Sequence, residues 1–535
     1  MNAATFSCQK PSDNTTPYTY TNLEMTLEQK VGQLIMAHFN GEMANKAARE
    51  LIHEVGVGGI ILYNFSNQLY SPQQVRFLNE GLQEISQSKS GCIPLLIAAD
   101  QEGGIVARLN KGFTVFPGNK ALGMTEDPEL AEAAAFAIGE EMQAVGVNMN
   151  LAPVIDVNDN EKNPVIGIRS FASTAQTVTL FGEKALSGYR KSNTITCLKH
   201  FIGHGNTETD SHVSLPIVNK SKSELMEVEL FPFYQLAHQA DAIMTAHLIA
   251  PALDAEHCVT LSPTILQKLL REEMGFKGVV VSDSLVMEGV LKNCGGDIEE
   301  AAICALNAGC DLLILGGSQL VGSSLLELTT TDVKNIHGAL VKAVQNGRIS
   351  MQRVDEAFGR IIELKQRYAL PQKIQKSIEQ VIAIPEHLAL AKTIAQKALR
   401  VLIQNTSFDP SCFLWKKTCL IAPRTLHTSI QEVFPINNGQ TEIFFQGLNP
   451  DEMLLSLAQK HASINDLVIF FSYNAWKNAS QEALIQSVIN TGKPVIVIVT
   501  RDPLDATCFP GAARIIVTHS PTLPSLQAAK ESLGI

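Results

Sequence analysis

Short apolar runs rich in β-branched residues recur through the first two thirds of the chain, and stretches with helical periodicity lie between them. These runs are GGIILY (58–63), IPLLIAAD (93–100), VNMNLAPVIDV (147–157), TCLKHFIG (196–203), DAIMTAHL (241–248), GVVVSDSL (278–285) and CDLLILGG (310–317). They are apolar throughout instead of alternating, which is typical of parallel strands covered on both faces. The pattern therefore predicts an α/β fold.

Seven or eight such strand–helix units fit a TIM-type (β/α)8 barrel, which we expect over residues 25–370. A doubly wound open sheet is the alternative, because periodicity alone does not separate the two architectures. Residues 371–396 are predicted to form a linker and a helix. Residues 397–535 are predicted to form a smaller αβα sandwich domain, parallel or mixed, with strands at KTCLIAP (417–423), TEIFFQG (441–447), DLVIFFSYN (466–474), PVIVIVTRDP (494–503) and ARIIVTHS (513–520).

The charge balance limits the kinds of partner. The formal net charge is −11, whereas a nucleic-acid-binding surface or one that docks on an anionic membrane would be basic. No stretch reaches the roughly 18 apolar residues that a membrane span needs. We therefore expect a small-molecule substrate, with no nucleic acid and no membrane span.

The ten cysteines form no CxxC pair and fall mostly in apolar runs, which predicts buried free thiols in a reducing compartment. The polar residues 1–24 lack the plan of a signal peptide and are predicted to be a disordered leader. These features favour a cytoplasmic location. Export, or a lipid anchor on Cys8, stays open for a chain whose N-terminus has been truncated.

Several polar residues follow directly on the predicted barrel strands: Asp100, Asp156, Lys199, His200, His247 and Asp283. The carboxyl ends of the strands are where both barrels and open sheets place their sites. A functional site at this end of the sheet is therefore expected.

The densest polar cluster is the loop LKHFIGHGNTETDSHVSLP (198–216). Asp210 and His212 are separated by one residue, so in an extended loop their side chains project to the same side and can form a hydrogen bond. An imidazole oriented by a carboxylate titrates near neutrality and can both donate and accept a proton. The pair is a candidate general acid/base, although a surface histidine beside a charge would show the same pattern.

Asp283 follows three valines in GVVVSDSLVMEGV (278–290). A carboxylate held at the end of an apolar strand needs a metal, a set of backbone donors or a substrate. The structural alternative is that Ser282 or Asp283 caps the following helix.

Two arginines complete the candidate site. In AADQEGGIVARL (98–109), Asp100 ends a strand, Gly103 and Gly104 would let the backbone approach a ligand, and Arg108 is placed to return toward Asp100. Arg169 lies in the glycine-containing loop IGIRSF (166–171). Arginine can form paired hydrogen bonds to hydroxyl or carboxylate oxygens, but surface arginines are the alternative in both places.

Together, DQEGGIVARL, IGIRSF, KHFIGHGNTETDSHVSLP and SDSLVMEGV resemble the β-N-acetylglucosaminidases of glycoside hydrolase family 3, of the peptidoglycan-recycling type. The motifs occur in the family's order over residues 25–370, and KALRVLIQN (397–405) resembles the start of the C-terminal sandwich of its two-domain members. Ile202 departs from the pattern, which has proline there, but it replaces no catalytic group.

The resemblance implies the roles of eight residues. Asp283 would be the nucleophile, and Asp210 and His212 would form the acid/base pair. The non-reducing N-acetylglucosamine (GlcNAc) would be held by the remaining five, Asp100, Arg108, Arg169, Lys199 and His200.

The implied activity is retaining, exo-acting removal of β-linked GlcNAc from peptidoglycan fragments or chitooligosaccharides, without a metal or cofactor. A histidine acid/base places no negative charge near the incoming nucleophile, so a phosphorylase is a variant of the same mechanism. A metal-dependent barrel hydrolase is an alternative, because His200, His204, His212, His247 and Asp283 are residue types that bind zinc, although Lys199 would repel a cation. A carbohydrate-binding protein without catalysis is the other alternative.

Overall fold

The computed structural model describes residues 25–88, 93–208, 215–317, 327–371, 374, 376–403, 408–409, 417–435 and 440–534. The predicted leader, residues 1–24, lies outside the described residues. So do Asp210 and His212 of the predicted acid/base pair.

The first sheet consists of eight parallel strands, in the order β10-β1-β2-β3-β6-β7-β8-β9. Its strands, with the hairpin β4–β5 between β3 and β6, are β1 Ile35–Ala37, β2 Gly59–Ile61, β3 Leu96–Ala99, β4 Gln101–Gly103, β5 Val106–Ala107, β6 Met149–Asn150, β7 Ile195–Phe201, β8 Ala242–Thr245, β9 Val279–Val281 and β10 Leu313–Leu315. The first and last barrel strands in the chain, β1 and β10, pair at Ile35 and Leu313. The predicted barrel is therefore confirmed, and the open sheet is wrong.

The seam between β9 and β10 closes the barrel through few backbone contacts. Val281 forms an isolated parallel bridge with Leu312, and the amide of Ser282 donates to the Leu312 carbonyl at 2.9 Å. The Ser282 hydroxyl accepts a 3.0 Å hydrogen bond from the amide of Ile314. A side-chain oxygen thus takes the place of a carbonyl in the ladder.

Helices cover the barrel and follow the amphipathic segments of the sequence. Their bounds are α1 Leu27–Gln33, α2 Lys46–Glu50, α3 Asn64–Asn67, α4 Pro72–Gln87, α5 Asn119–Met124, α6 Pro128–Ala144, α7 Ala175–Lys191, α8 Lys222–Glu227, α9 Phe231–Leu236, α10 Glu288–Asn293, α11 Ile298–Ala308, α12 Thr330–Gln345 and α13 Met351–Arg367, with π-helical turns at Leu51–Val55 and Thr264–Glu273. Helix α6 shows why they form where they do. Pro128 stands in the first turn, Glu129 complements the helix dipole there, and Gly146 follows the end with φ of 79°.

A second sheet has six strands in the order β11-β16-β15-β14-β12-β13, all parallel except β11, which runs antiparallel to β16. The strands are β11 Arg400–Ile403, β12 Thr418–Pro423, β13 Thr441–Phe445, β14 Leu467–Ser472, β15 Val495–Val499 and β16 Arg514–Val517. The five predicted strands are all present, and β11 is an additional antiparallel edge strand.

Helices lie on both faces of this second sheet, at α15 His427–Val433, α16 Glu452–Ile464, α17 Ala479–Ile489 and α18 Leu523–Leu533, and α14 Pro385–Ala398 precedes the sheet in the chain. Alternate residues of β14 enter different cores. Val468 and Phe470 pack with residues of α16 and α17, whereas Ile469 and Phe471 pack with residues of α15 and α18. This confirms the αβα sandwich.

Helix α14 connects the two sheets and contacts the barrel helices α5 and α6 as well as α18. Lys397 forms an ion pair with Asp127 at 2.8 Å, and the guanidinium of Arg400 donates to the Met124 carbonyl at 2.6 Å. The predicted domain limits at residues 370 and 396 stay predictions. Within the described ranges, no helix combines the length and the apolar character that crossing a bilayer requires.

Candidate active site

An open cleft of about 970 Å³ lies at the carboxyl end of the barrel. Residues of β7 and β8 and of the segments after β2, β3, β6, β7, β9 and β10 line it: Tyr63, Phe65, Asp100, Glu102, Val106, Arg108, Val165, Arg169, Lys199, His200, His204, Met244, Asp283, Ser284, Val286, Met287 and Gly317. Six of the eight predicted site residues therefore share one cleft.

Lys199 is the centre of an ion-pair network in the floor of this cleft. Strand β7 carries it, and its side chain is only 2% exposed. The ammonium lies 2.8 Å from Oδ1 of Asp100 and 2.7 Å from Oε1 of Glu102. A buried cation of this kind needs paired anions, and two carboxylates from the loop after β3 supply them.

The network keeps both carboxylates ionised. Burial alone would favour the neutral acids, but Lys199 and Arg108 together outweigh it and hold the pKa of Asp100 well below its usual value. The neighbouring Arg169 and Lys199 lower the pKa of Glu102 to about 2 against the same effect of burial. Burial opposes the charge of Lys199 as well, yet Asp100 and Glu102 raise its pKa. The floor of the cleft is therefore fully charged at neutral pH.

Arg169 joins this network to His200. It ends the short 3₁₀ turn Gly167–Arg169 and forms a bidentate pair with Glu102, at 2.9 Å from Nε and 2.8 Å from Nη2. Its Nη2 also lies 3.2 Å from Nε2 of His200. Because a guanidinium has only donors, Nε2 of His200 is the acceptor in this contact.

Asp156 orients the other side of the His200 ring. The buried carboxylate lies 2.7 Å from Nδ1 of His200 and accepts from the backbone amides of His200 and, at 2.7 Å, His204. Nδ1 therefore carries the proton, and the ring is held in one tautomer with its plane fixed. The peptide bonds Lys199–His200 and Phe201–Ile202 are both cis.

Arg108 forms the side wall of the cleft. Its guanidinium lies 3.2 Å from Oδ2 of Asp100, as the return of the chain toward Asp100 predicted, and 5.6 Å from the centre of the Tyr63 ring. Tyr63 stacks on Phe65 with ring centres 5.0 Å apart. Phe65 is 48% exposed, so an aromatic face stands at the rim of the cleft.

Asp283 follows β9 on the wall that Ser284 and Met287 continue. Its Oδ1 accepts a 2.7 Å hydrogen bond from the Ser284 amide. The Ser284 carbonyl lies 2.9 Å from Nε2 of His247, and its hydroxyl donates to the Gly316 carbonyl. The helix that follows starts at Glu288, and its N-cap position is Met287 without a side-chain cap. The helix-cap interpretation of Ser282 or Asp283 is therefore wrong.

The loop after β7 is anchored as far as Thr207. Asn163 donates from Nδ2 to the carbonyls of His204 at 2.9 Å and Thr207 at 3.0 Å. Burial lowers the pKa of His204 to about 4, so this second histidine of the loop is uncharged at neutral pH.

The glycines after Asp100 are required by the packing of the backbone. Gly103 and Gly104 adopt φ of 86° and 61°. A Cβ on Gly104 would approach the Pro117 carbonyl oxygen to 2.9 Å, and one on Gly103 would lie 3.3 Å from Cα of Gly118. Close packing of two backbone segments accounts for these residues, and the approach to a ligand stays a prediction.

Two functional groups of the cleft were not assigned from the sequence. Glu102 was not recognised because it lies in the hairpin β4–β5 and not directly after a barrel strand. Its signal is the spacing Asp100-x-Glu102, which puts both carboxylates on one side of an extended chain. Asp156 was noted at a strand end, but its role as the partner of His200 depends on contacts between distant segments.

The described residues contain no group of three His, Cys, Asp or Glu side chains arranged to hold one metal ion. The chemistry of the donors also argues against a cation, because Asp100 and Glu102 already share Lys199, and the buried Asp156 already accepts from three N–H donors.

Comparison with known proteins identifies the family. Residues 26–364 match the glycosyl hydrolase family 3 N-terminal domain. The chain is 31% identical over 417 residues to β-hexosaminidase A of Pseudoalteromonas piscicida. The aligned region covers 71% of this chain and 68% of the relative. It is 38% identical over 283 residues to a β-hexosaminidase of Methylococcus capsulatus, over 52% of this chain and 81% of the relative.

The solved structure of a family 3 β-N-acetylglucosaminidase from Paenibacillus sp. strain FPU-7 superimposes with a TM-score of 0.85 at 36% identity, covering 95% of this chain and 96% of the other. The likeness thus extends over the barrel and the sandwich alike. The predicted family and enzyme class are confirmed: this chain belongs to glycosyl hydrolase family 3 and is a glycoside hydrolase.

Proposed function

We propose that the enzyme removes terminal β-linked GlcNAc with retention of configuration, through a covalent intermediate on Asp283. The observation that carries the proposal is the single cleft in which Asp283 meets Asp100, Arg108, Arg169, Lys199 and His200. The names of the β-hexosaminidase relatives and of the β-N-acetylglucosaminidase structure support the same substrate class.

The charged floor of the cleft suits a sugar ring. Ionised carboxylates accept from hydroxyl groups, and the cations beside them donate to the same hydroxyls. Asp100 and Lys199 thus offer an acceptor and a donor side by side, 2.8 Å apart. His200 and Arg169, each held by an anion, extend this surface. Their contacts fix the terminal sugar with its anomeric carbon facing Asp283.

In the first step, a carboxylate oxygen of Asp283 attacks the anomeric carbon through an oxocarbenium-like transition state. The bond to the leaving oxygen breaks, and the His212 imidazolium transfers its proton to that oxygen. Asp210 stabilises the imidazolium that this step requires. The products are a glycosyl ester on Asp283 and the free alcohol of the leaving group.

In the second step, His212 takes a proton from water, whose oxygen attacks the anomeric carbon and displaces Asp283. Two inversions give retention. The hydrogen bond that Asp283 accepts from the Ser284 amide at 2.7 Å stabilises the carboxylate both before attack and as it leaves.

Two kinds of substrate fit this reaction: peptidoglycan fragments in which GlcNAc is linked to N-acetylmuramic acid (MurNAc), and chitooligosaccharides. We further propose a reducing compartment such as the cytoplasm. All seven cysteines in the described part of the chain are free, and Cys197, Cys258, Cys310 and Cys419 are buried.

Trapping of the intermediate tests the nucleophile. The enzyme is inactivated with an activated fluorinated N-acetylglucosaminide and digested, and mass spectrometry locates the label. The label is expected on Asp283, and the sugar first released from substrate is expected to be the β-anomer by NMR. A label on another carboxylate, or an α-anomer as first product, would contradict the mechanism.

Leaving-group dependence tests the acid. His212→Ala should impair substrates with poor leaving groups far more than activated aryl glycosides, because the latter need little protonation. Equal losses on both would count against His212. Product analysis with added phosphate decides between water and phosphate as the acceptor, since a phosphorylase would release GlcNAc 1-phosphate.

A further inference from the structure

His247 lies two residues beyond β8 and is completely buried. The sequence singled it out as a polar residue at a strand end and as a possible zinc ligand. It is not among the described residues that line the active-site cleft, so any part that it takes in the reaction passes through other residues. The structure gives it a partner in the turn that carries Asp283.

The turn that carries Asp283 lies between β9 and α10, outside regular secondary structure. On either side of Asp283, the amides of Ser282 and Leu285 donate to carbonyls in or next to β10, at 2.9 and 3.0 Å. Ser284 stands between these two ties and next to the carboxylate. The orientation of Asp283 therefore depends on how firmly Ser284 is held.

Ser284 is held through its amide, its hydroxyl and its carbonyl. The amide donates to Oδ1 of Asp283 at 2.7 Å, and the hydroxyl donates to the Gly316 carbonyl. The carbonyl accepts from the Met287 amide at 3.2 Å and lies 2.9 Å from Nε2 of His247. Gly316 follows β10 and His247 follows β8, so contacts from the strands on both sides of β9 hold Ser284.

Thr260 contacts the other ring nitrogen of His247. A carbonyl only accepts, so Nε2 of His247 is the donor to Ser284. In the neutral ring Nδ1 is then an acceptor, and the Thr260 hydroxyl at 2.8 Å is placed to donate to it. The contact of this hydroxyl with the Ala246 carbonyl is longer, at 3.1 Å, and the Thr245 hydroxyl lies 2.8 Å from it. The two threonines thus favour the tautomer that binds Ser284.

The orientation of Asp283 matters because attack requires one of its oxygens to face the anomeric carbon. Displacement of a reacting group by about 1 Å can cost on the order of a hundredfold in rate. The Ser284 amide binds Oδ1, so its position sets the rotation of the carboxylate. A donor that holds the Ser284 carbonyl therefore acts on the nucleophile at a distance of one residue.

We propose that His247, in the tautomer that Thr260 favours, is a positioning residue for the nucleophile: it holds the Ser284 carbonyl and thereby the amide that orients Asp283. The inference rests on the proposed function and deepens it by adding a group that does not touch the substrate. Loss of the Nε2 donor then slows attack by Asp283 without weakening the binding of the sugar.

The test compares His247→Leu, which removes the donor, with His247→Gln, whose side-chain amide can donate from nearly the position of Nε2. In His247→Leu, the rate at which an activated fluorinated N-acetylglucosaminide labels Asp283 should fall by about a hundredfold. The Ki of the product GlcNAc should stay within about twofold of the wild-type value. His247→Gln should recover the labelling rate to within about tenfold of wild type.

His387→Leu is the matched control. This buried histidine lies 2.9 Å from Glu141 and outside the cleft, so its loss should leave the labelling rate per folded molecule within about twofold. Thr260→Val removes one hydroxyl at nearly constant volume and should slow labelling by about fivefold. This variant provides the same test if the His247 variants fail to fold.

Three results would overturn the inference. They are a Ki for GlcNAc that rises as far as the labelling rate falls, a His247→Gln enzyme as slow as His247→Leu, and an unchanged labelling rate in His247→Leu. If the wild-type enzyme is labelled on another carboxylate, or does not hydrolyse an aryl β-N-acetylglucosaminide, the proposed function itself fails.

Discussion

The two ends of the barrel both bury charged groups, but they arrange them differently. At the carboxyl end, Asp100 and Glu102 share Lys199 and line an open cleft. At the amino end, Asp311 precedes β10, is fully buried, and meets Arg271 at 2.5 Å, Arg360 at 2.9 Å and Arg353. The charges at the carboxyl end face the cleft. The ion pairs of Asp311 at the amino end connect helix α13 and the π-helical segment Thr264–Glu273 to the sheet.

The comparison shows that the position along a strand determines the role of a buried charge. Asp100 and Glu102, which follow β3, line the cleft, whereas Asp311, which precedes β10, connects the barrel to its helices. The following substitutions separate the two roles, because activity and unfolding free energy are both measured for each variant.

The largest effect is expected for Asp283→Ala. Loss of the proposed nucleophile should reduce kcat on an aryl β-N-acetylglucosaminide by on the order of 10⁴-fold or more, with little change in the free energy of unfolding. Steady-state kinetics and urea unfolding check this. Asp355→Ala, which removes an exposed carboxylate of α13, is the matched control and should leave kcat unchanged. If Asp283→Ala lowered the unfolding free energy and left kcat unchanged, Asp283 would have a structural role like that of Asp311.

Lys199→Met should affect both properties, because it removes the cation that Asp100 and Glu102 share. We expect a loss of about 3–5 kcal/mol in unfolding free energy and a lower kcat/KM. In the wild type the pKa of Asp100 lies below its unfolded value of about 3.9, so its stabilisation is present above that pH and disappears as the pH falls. In the variant this loss should begin at a higher pH, as urea titrations between pH 3 and 7 would show.

Asp311→Asn should affect stability alone. The substitution leaves three arginines without their shared anion and should cost about 3–5 kcal/mol of unfolding free energy. Activity per folded molecule should stay at the wild-type value well below the melting temperature. Asp355→Asn is the control and should lower the unfolding free energy by less than about 1 kcal/mol. A fall in kcat/KM at full folding would show that the amino end of the barrel is coupled to the cleft.

The smallest effect concerns Lys365 at the amino end. Its ammonium is buried and donates to Oε1 of Gln33 at 2.8 Å and to the Gly58 carbonyl at 2.7 Å. Burial lowers its pKa to about 7, below the unfolded value of about 10.4. Between these values the unfolded chain binds more protons, so stability should rise with pH by at most about 1.4 kcal/mol per unit.

Lys365→Met should remove that rise, as unfolding free energies at pH 7, 8 and 9 would show. The exposed Lys342→Met is the matched control and should keep the slope. An unchanged slope in Lys365→Met would mean that other groups produce the pH dependence.

Much of the fold could be predicted because its strands are buried on both faces and therefore apolar without alternation. Strand β1 was not predicted, since Ile35–Ala37 is three residues long and follows α1 with one residue between them. Strand β11 was not predicted as antiparallel, because register between Arg400 and Val517 depends on pairing across more than a hundred residues.

The candidate site was largely predictable, because residues at strand ends converge in any barrel. Glu102 was not predicted since it occupies a hairpin, and the pairing of Asp156 with His200 depends on where two strands meet. Asp241 and Asp311 were not assigned to the site, and they lie at strand beginnings, where the structure gives them other partners.

The seam between β9 and β10 has a consequence for mutational scanning. The Ser282 hydroxyl accepts from the Ile314 amide, one residue before the proposed nucleophile. Replacing Ser282 with alanine would leave the buried Ile314 N–H without this acceptor and should cost about 1–3 kcal/mol of unfolding free energy. A loss of activity in a Ser282 variant would therefore reflect a weakened barrel seam, although the next residue in the sequence is the proposed nucleophile.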